Sequence, residues 1–160
     1  MKKIHAGLNN ANERLIFVQN ELTRIPNGMK ILDAGCVSQR YKKYCNHLEY
    51  YGQDFAQYDI PDKKNMLGGK TLDSYKYGEL NYICNIWEIE EKDAFFDVVL
   101  CTEVFEHIPY PNETLTELTR LLKPGGKLIL TAPANCLRHF DPYFFYSGFS
   151  DRWYEKFLMD

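Results

Sequence analysis

The stretch ILDAGCVSQRYKKY, residues 31–44, decides the fold. Ile31 and Leu32 belong to a short apolar strand that begins at Met29, and Asp33-Ala34-Gly35 then supplies an acid, a small residue and a glycine. A residue without Cβ lets the backbone pass close against a ligand. After that the segment stops behaving like a glycine-rich loop. A dinucleotide-binding turn calls for G-x-G-x-x-G, whereas residues 35–40 read Gly-Cys-Val-Ser-Gln-Arg, with one glycine. The chain also lacks G-x-x-x-x-G-K-[ST], which excludes a nucleoside triphosphate loop at motif level. One glycine suits a ligand with no pyrophosphate to cradle.

Outward from this strand the pattern alternates. Leu8, Ala11, Leu15, Val18, Leu22 and Ile25 fall on one helical face, and Pro26-Asn27-Gly28 stops that helix. His47 to Gly52 reads as a second strand ending at Gln53-Asp54. The segment from Phe55 to Tyr77 is polar and broken by Pro61 and Gly68-Gly69, so it reads as a long loop with one helical turn at most. Leu80 to Cys84 reads as a third strand, and Phe95 to Cys101 as a fourth, apolar enough to be covered on both faces. Asn112 can cap a helix carrying Leu115, Leu118, Leu121 and Leu122, which Pro124-Gly125-Gly126 ends before a strand at Lys127–Thr131. Strands alternating with helical patterns predict an α/β fold with a doubly wound, mostly parallel, Rossmann-like sheet. In such sheets ligands bind beyond the carboxyl ends of the strands. Those ends are Asp33–Gly35, Gln53–Asp54, Cys84–Asn85, Cys101–Glu103 and Ala132–Pro133.

Bulk properties narrow the function. A chain of 160 residues suits one domain. Its boundaries read as an N-terminal helical segment at 1–27, a ligand-binding core at 29–133 and an aromatic stretch with a terminal helix at 134–160. A net charge of −3 without a basic stripe argues against nucleic acid as a partner. No apolar run follows the positive start Met1-Lys2-Lys3, so neither a signal peptide nor a membrane span is expected. Five scattered cysteines without C-x-x-C predict free thiols in a reducing cytoplasm and no zinc site or other metal. Asp54 ends the second strand about twenty residues after Gly35, where a carboxylate accepts both hydroxyls of a ribose.

Four segments together resemble the class I methyltransferases that use S-adenosylmethionine, in particular the type 11 methyltransferase domain. They are ILDAGC (31–36), YYGQDFAQYD (50–59), FDVVLCTEVFEHIPYP (96–111) and TLTELTRLLKPGGKLILTAP (114–133). The resemblance implies methyl transfer to an O or N atom of a small-molecule acceptor, with S-adenosylhomocysteine as product. It implies that Asp33, Ala34 and Gly35 hold the methionine part of the cofactor, that Asp54 with Phe55 takes the ribose, and that Asn85 and Ile86 touch the adenine. Thr102 and Glu103 then close over the methionine end, while Glu106 and His107 face the acceptor. His107 is the candidate base, since imidazole titrates near neutrality. His139 and Tyr143, from the aromatic stretch HFDPYFFYSGF (139–149), are candidate acceptor-side residues.

Two departures from the family matter. The first motif usually has glycines at the positions of Val37 and Gln39, so these side chains either narrow the cofactor cleft or set the loop differently. Residues 150–160 read as a helix with Trp153 and Phe157 on one side, and the family adds two further strands after it. The open sheet edge predicts either a longer chain or a homodimer that covers the edge. Three functions stand at this point. They are an active methyltransferase, a methyltransferase-like domain that binds the cofactor or a partner without transfer, and an oxidoreductase, which the absent glycine triad disfavours.

Overall fold

Residues 9–57 and 77–159 are described by a computed structural model of the chain. Five strands form one parallel sheet: β1 (Lys30–Ala34), β2 (Glu49–Asp54), β3 (Tyr82–Ile83), β4 (Phe96–Thr102) and β5 (Leu122–Thr131). Their order across the sheet is β3-β2-β1-β4-β5. The chain therefore runs outward from β1 in one direction and then restarts at β4 on the other side. The switch lies between β1 and β4, the place where sheets of this kind bind ligands.

Period-two alternation divides the strands between two cores. On one face Leu32, Ala34, Val99 and Cys101 pack with Phe105, Phe149 and the apolar stripe Leu115, Leu118 and Leu121 of α2 (Pro111–Leu121). On the other, Ile31, Val98, Leu100 and Ile129 pack with Val18, Leu22 and Ile25, which come from α1 (Asn10–Thr23) and the turn after it. Covering on both faces is why β1 and β4 carry unbroken apolar runs, Ile31–Leu32 and Val98–Cys101, rather than alternating. The sheet matches expectation; of the expected α1 face Leu15, Val18, Leu22 and Ile25 pack on it, whereas Ala11 is exposed, and Leu8 and the interior of the 55–77 segment lie outside the described residues.

Four local expectations are corrected. Asn112 does not cap α2: Tyr110 precedes the helix without a side-chain cap bond, and Pro111 opens it. Proline suits that first position, because the missing N–H would have had no partner there. Pro124-Gly125-Gly126 does not separate helix from strand either. Phe96 pairs with Leu122 and Val98 with Lys127, so these three residues, with Lys123, form a bulge opposite Asp97 within β5. A Cβ on Gly126 would lie 2.9 Å from the Lys123 carbonyl oxygen and 3.0 Å from that of Asp97, which is why glycine is needed. The third strand is shorter than the LNYIC segment suggests, because only Gln53 and Asp54 of β2 extend far enough to pair with it. Finally, the terminal helix is one α-helical turn, α3 (Asp151–Tyr154), followed by a π-helical turn at Glu155–Met159. Ser150 caps it by accepting from the Trp153 N–H, and Trp153 and Phe157 do share a side, with ring centroids 5.2 Å apart.

Candidate active site

The carboxyl ends of β1, β2, β3 and β4 converge on a cavity of about 1050 Å³. Asp33, Gly35, Asp54, Phe55, Asn85, Ile86, Thr102, Glu103, Glu106, His107, His139 and Tyr143 all line it. Ala34 does not. Its side chain is fully buried in the core on the α2 side of the sheet, as the next inward position after Leu32 must be.

The loop after β1 resolves the missing glycines. Gly35 takes φ +73°, and a Cβ there would sit 2.5 Å from Val104 Cγ2. Glycine is thus demanded by the close approach of Val104 as well as by the left-handed backbone. Val37 and Gln39 adopt φ +42° and +54°, so the loop keeps the left-handed turns that glycines would make easily. For a β-branched residue this conformation is an outlier that the surroundings must hold in place. Val37 lines the cavity, but the Gln39 side chain turns away from it. Its amide nitrogen donates to the Glu79 carbonyl at 2.6 Å, and a Cβ on Gly52 would fall 2.7 Å from that nitrogen. Gln39 therefore fills a slot left by Gly52 and Gly78 and does not narrow the cleft.

Backbone and side-chain bonds lock this loop to the end of β2. The Val37 N–H donates to Asp54 Oδ2 at 2.9 Å, and the Ala56 N–H donates to Oδ1 at 3.0 Å. Burial raises the Asp54 carboxyl, opposed by these donors. Gln53, buried between strands, accepts the Gly35 N–H at its side-chain oxygen and donates to the Cys84 carbonyl. It thereby ties three strand ends together, a role that no sequence pattern marks. Asp33 is buried and accepts the Tyr50 hydroxyl at 2.5 Å. Desolvation pushes its carboxyl up to about 7, with Tyr50 opposing and the Asp54 charge adding to the shift.

At the other end of the cavity, α1 reaches over the sheet. Arg14 lines the cavity and pairs with Glu103 Oε2 at 2.8 Å. The sequence carried a signal for it: Arg14 stands one turn before the buried Val18, a charge bordering an apolar stripe. Glu106 is 2% exposed, and its Oε2 has no hydrogen-bond partner among the described residues. Burial raises its carboxyl to about 7. His107 Nδ1 faces the Tyr143 carbonyl at 2.7 Å, and burial lowers its imidazole to about 4. The aromatic stretch is held here by the Glu106 carbonyl, which accepts the Phe145 and Tyr146 N–H groups, and by an edge contact between the Tyr143 and Phe55 rings at 5.1 Å. Asn85 lines the cavity and donates its amide N–H₂ to Glu88, which leaves its oxygen as an acceptor.

The chain is similar to known proteins. A family model described as a methyltransferase domain matches residues 11–159. A ubiquinone biosynthesis O-methyltransferase of Coxiella burnetii is 32% identical over 123 residues, which are 74% of this chain and 48% of that protein. The chain thus spans about half the length of the curated relatives it matches. Among solved structures, the CurJ carbon methyltransferase superposes with a TM-score of 0.57 at 16% identity, covering 91% of this chain and 45% of that one. Phosphoethanolamine N-methyltransferase 2 of Haemonchus contortus, in complex with S-adenosyl-L-methionine, gives 0.52 at 24% identity over 73% of this chain and 27% of that one. These two likenesses carry the fold.

Proposed function

We propose that this chain, which belongs to the methyltransferase domain family matched over residues 11–159, forms the cofactor half of an S-adenosylmethionine-dependent methyltransferase acting on an O or N atom of a small molecule. One observation carries this reading: acids and amides from the ends of four strands face a single cavity at the sheet's switch point. When bound, S-adenosylmethionine supplies a methyl group on a sulfonium, with the thioether as leaving group.

The residues divide that cavity by chemistry. Asp54 presents a carboxylate already aligned by two backbone N–H groups, and its remaining lone pairs suit the ribose hydroxyls. Asn85 offers an amide oxygen to the adenine amino group, beside the apolar Ile86. Asp33, Gly35, Thr102 and Glu103 border the methionine end, where the carboxyls of buried Asp33 and half-buried Glu103 favour a cationic sulfonium and ammonium. A methyl transfer is an in-line displacement, so fixing these groups along the strand ends aligns the reacting atoms.

The acceptor's proton is handled at Glu106 and His107. A base works best when its proton affinity matches the operating pH. Burial brings Glu106 to about 7 and takes His107 down to about 4, which favours the carboxylate over the imidazole assigned from sequence. His107 stays neutral and serves as an oriented acceptor. Incubation with methyl-labelled cofactor and a panel of phenols and amines tests the reading. Transfer of label to an acceptor supports it. Binding of the cofactor without transfer supports the non-catalytic reading, which the Val37 side chain on the cavity wall favours.

A further inference from the structure

We propose that Glu106, His107 and His139 form a binding site for a first-row divalent cation, zinc by donor preference, at the acceptor end of the cavity. One donor atom from each of the three lies within 4.8 Å of the others. Glu106 Oε1 and His107 Nε2 are 3.7 Å apart, too far to hydrogen-bond and close to the spacing of two ligands on one ion. Tetrahedral bonds of ~2.1 Å place donors about 3.4 Å apart, so modest inward rotation completes the set.

Both imidazoles are prepared in the way metal ligands are. Nδ1 of His107 faces the Tyr143 carbonyl at 2.7 Å, and Nδ1 of His139 faces the Leu137 carbonyl at 2.7 Å. A carbonyl only accepts, so in each neutral ring Nδ1 carries the proton and Nε2 carries the lone pair. A backbone carbonyl on the far nitrogen is the usual support of a metal-bound histidine. The rings themselves are held: their centroids are 4.7 Å apart at 89°, and Phe140 and Phe144 pack against both.

Glu106 supplies the independent argument. Its carboxyl is 2% exposed, lines the cavity, and leaves Oε2 without a hydrogen-bond partner among the described residues. A buried carboxyl oxygen left unpaired is costly. The nearby Arg14 guanidinium is bound to Glu103 instead. A divalent cation held by Glu106 and two Nε2 atoms removes that cost. Two histidines and one carboxylate match catalytic zinc sites, which keep a further position open. That open position faces the cavity and takes an oxygen ligand. On the transferase reading, that ligand is the acceptor's hydroxyl; the ion loosens its proton, which the Glu106 oxygen left off the ion takes up.

Adjacent Glu106 and His107 and a histidine more than thirty residues later form no metal motif, which is why the sequence predicts none. The test is a Co²⁺ titration of chelator-treated protein followed by visible absorption, with S-adenosylhomocysteine binding measured on the same samples. One saturable Co²⁺ per chain is expected, displaced by Zn²⁺. Affinity should fall more than tenfold in both His139→Ala and Glu106→Gln, and stay unchanged in Cys136→Ser. His139 is on a partly exposed loop, so its variant keeps the fold, as circular dichroism will show. Absence of a saturable spectrum, or one that His139→Ala leaves unchanged, overturns the site. Metal binding without S-adenosylhomocysteine binding keeps the site and overturns the transferase reading; the reverse result overturns the site alone.

Discussion

The Val37 N–H donates to Asp54 Oδ2 at 2.9 Å, and this bond joins the two strand ends between which the adenosyl group is proposed to sit. It also holds Val37 at φ +42°, where a valine does not rest unaided. The same loop carries Gln39 at φ +54°, yet the two residues answer differently to substitution.

Val37→Gly should stabilise the protein by about 1 kcal/mol, because relief of the left-handed strain exceeds the added entropy of the unfolded chain. Gln39→Gly should instead destabilise it, since the side chain that bonds Glu79 and fills the slot at Gly52 is lost. Urea denaturation reads both. A lower midpoint for Val37→Gly would contradict the strain argument.

Gly52→Ala should cost about 1–3 kcal/mol, because the new methyl meets Gln39 Nε2 at 2.7 Å and Cys36 Sγ at 3.1 Å. The damage should shrink in the background of Gln39→Gly. A double-mutant cycle with no coupling would show that the two residues do not compete for one slot.

Asp33 should impose a pH dependence on stability. Its carboxyl is raised to about 7 in the folded protein from an ordinary 3.8, chiefly by desolvation. The folded state therefore holds a proton that the unfolded chain releases near pH 4. The stability from this group is complete below about pH 4, falls as pH rises towards 7, and levels off above. Its loss is on the order of 4 kcal/mol at full shift. Wild type minus Asp33→Asn, measured by denaturant titration from pH 4 to 8, should show that fall, and a flat difference would sink the assignment.

Arg14→Ala should change stability by less than about 1 kcal/mol, because the pair with Glu103 is partly exposed and screened. It should nevertheless alter affinity for S-adenosylhomocysteine, since both partners line the cavity. An unchanged affinity would place the pair outside the site.

Much of this architecture was legible because parallel strands covered on both faces leave continuous apolar runs. Phe96–Cys101 shows it for the sheet, and Val18, Leu22 and Ile25 show it for the helix that covers one face. The strand-end residues Asp33, Asp54, Asn85 and Glu103 were legible for a related reason: their spacing follows from the fold. Other features depend on contacts between distant segments, and periodicity does not encode those. Gln39 fits only because Gly52 and Gly78 are glycines, and Gln53 matters only because Gly35 and Cys84 lie on either side of it. The bulge at Pro124-Gly125-Gly126 imitates a helix stop, since the same residues serve both uses. The proposed choice of Glu106 over His107 as base rests on their burial, which periodicity does not encode.

The central claim is a cleft for an adenosyl cofactor closed by Asp54. Titration calorimetry with S-adenosylhomocysteine, with NAD as the control, tests it most directly. The account predicts one site of micromolar affinity, no binding of NAD, and a loss of more than ~1 kcal/mol in Asp54→Ala, which removes charge-assisted bonds to the ribose. No heat with S-adenosylhomocysteine, or an affinity that Asp54→Ala leaves unchanged, would contradict it.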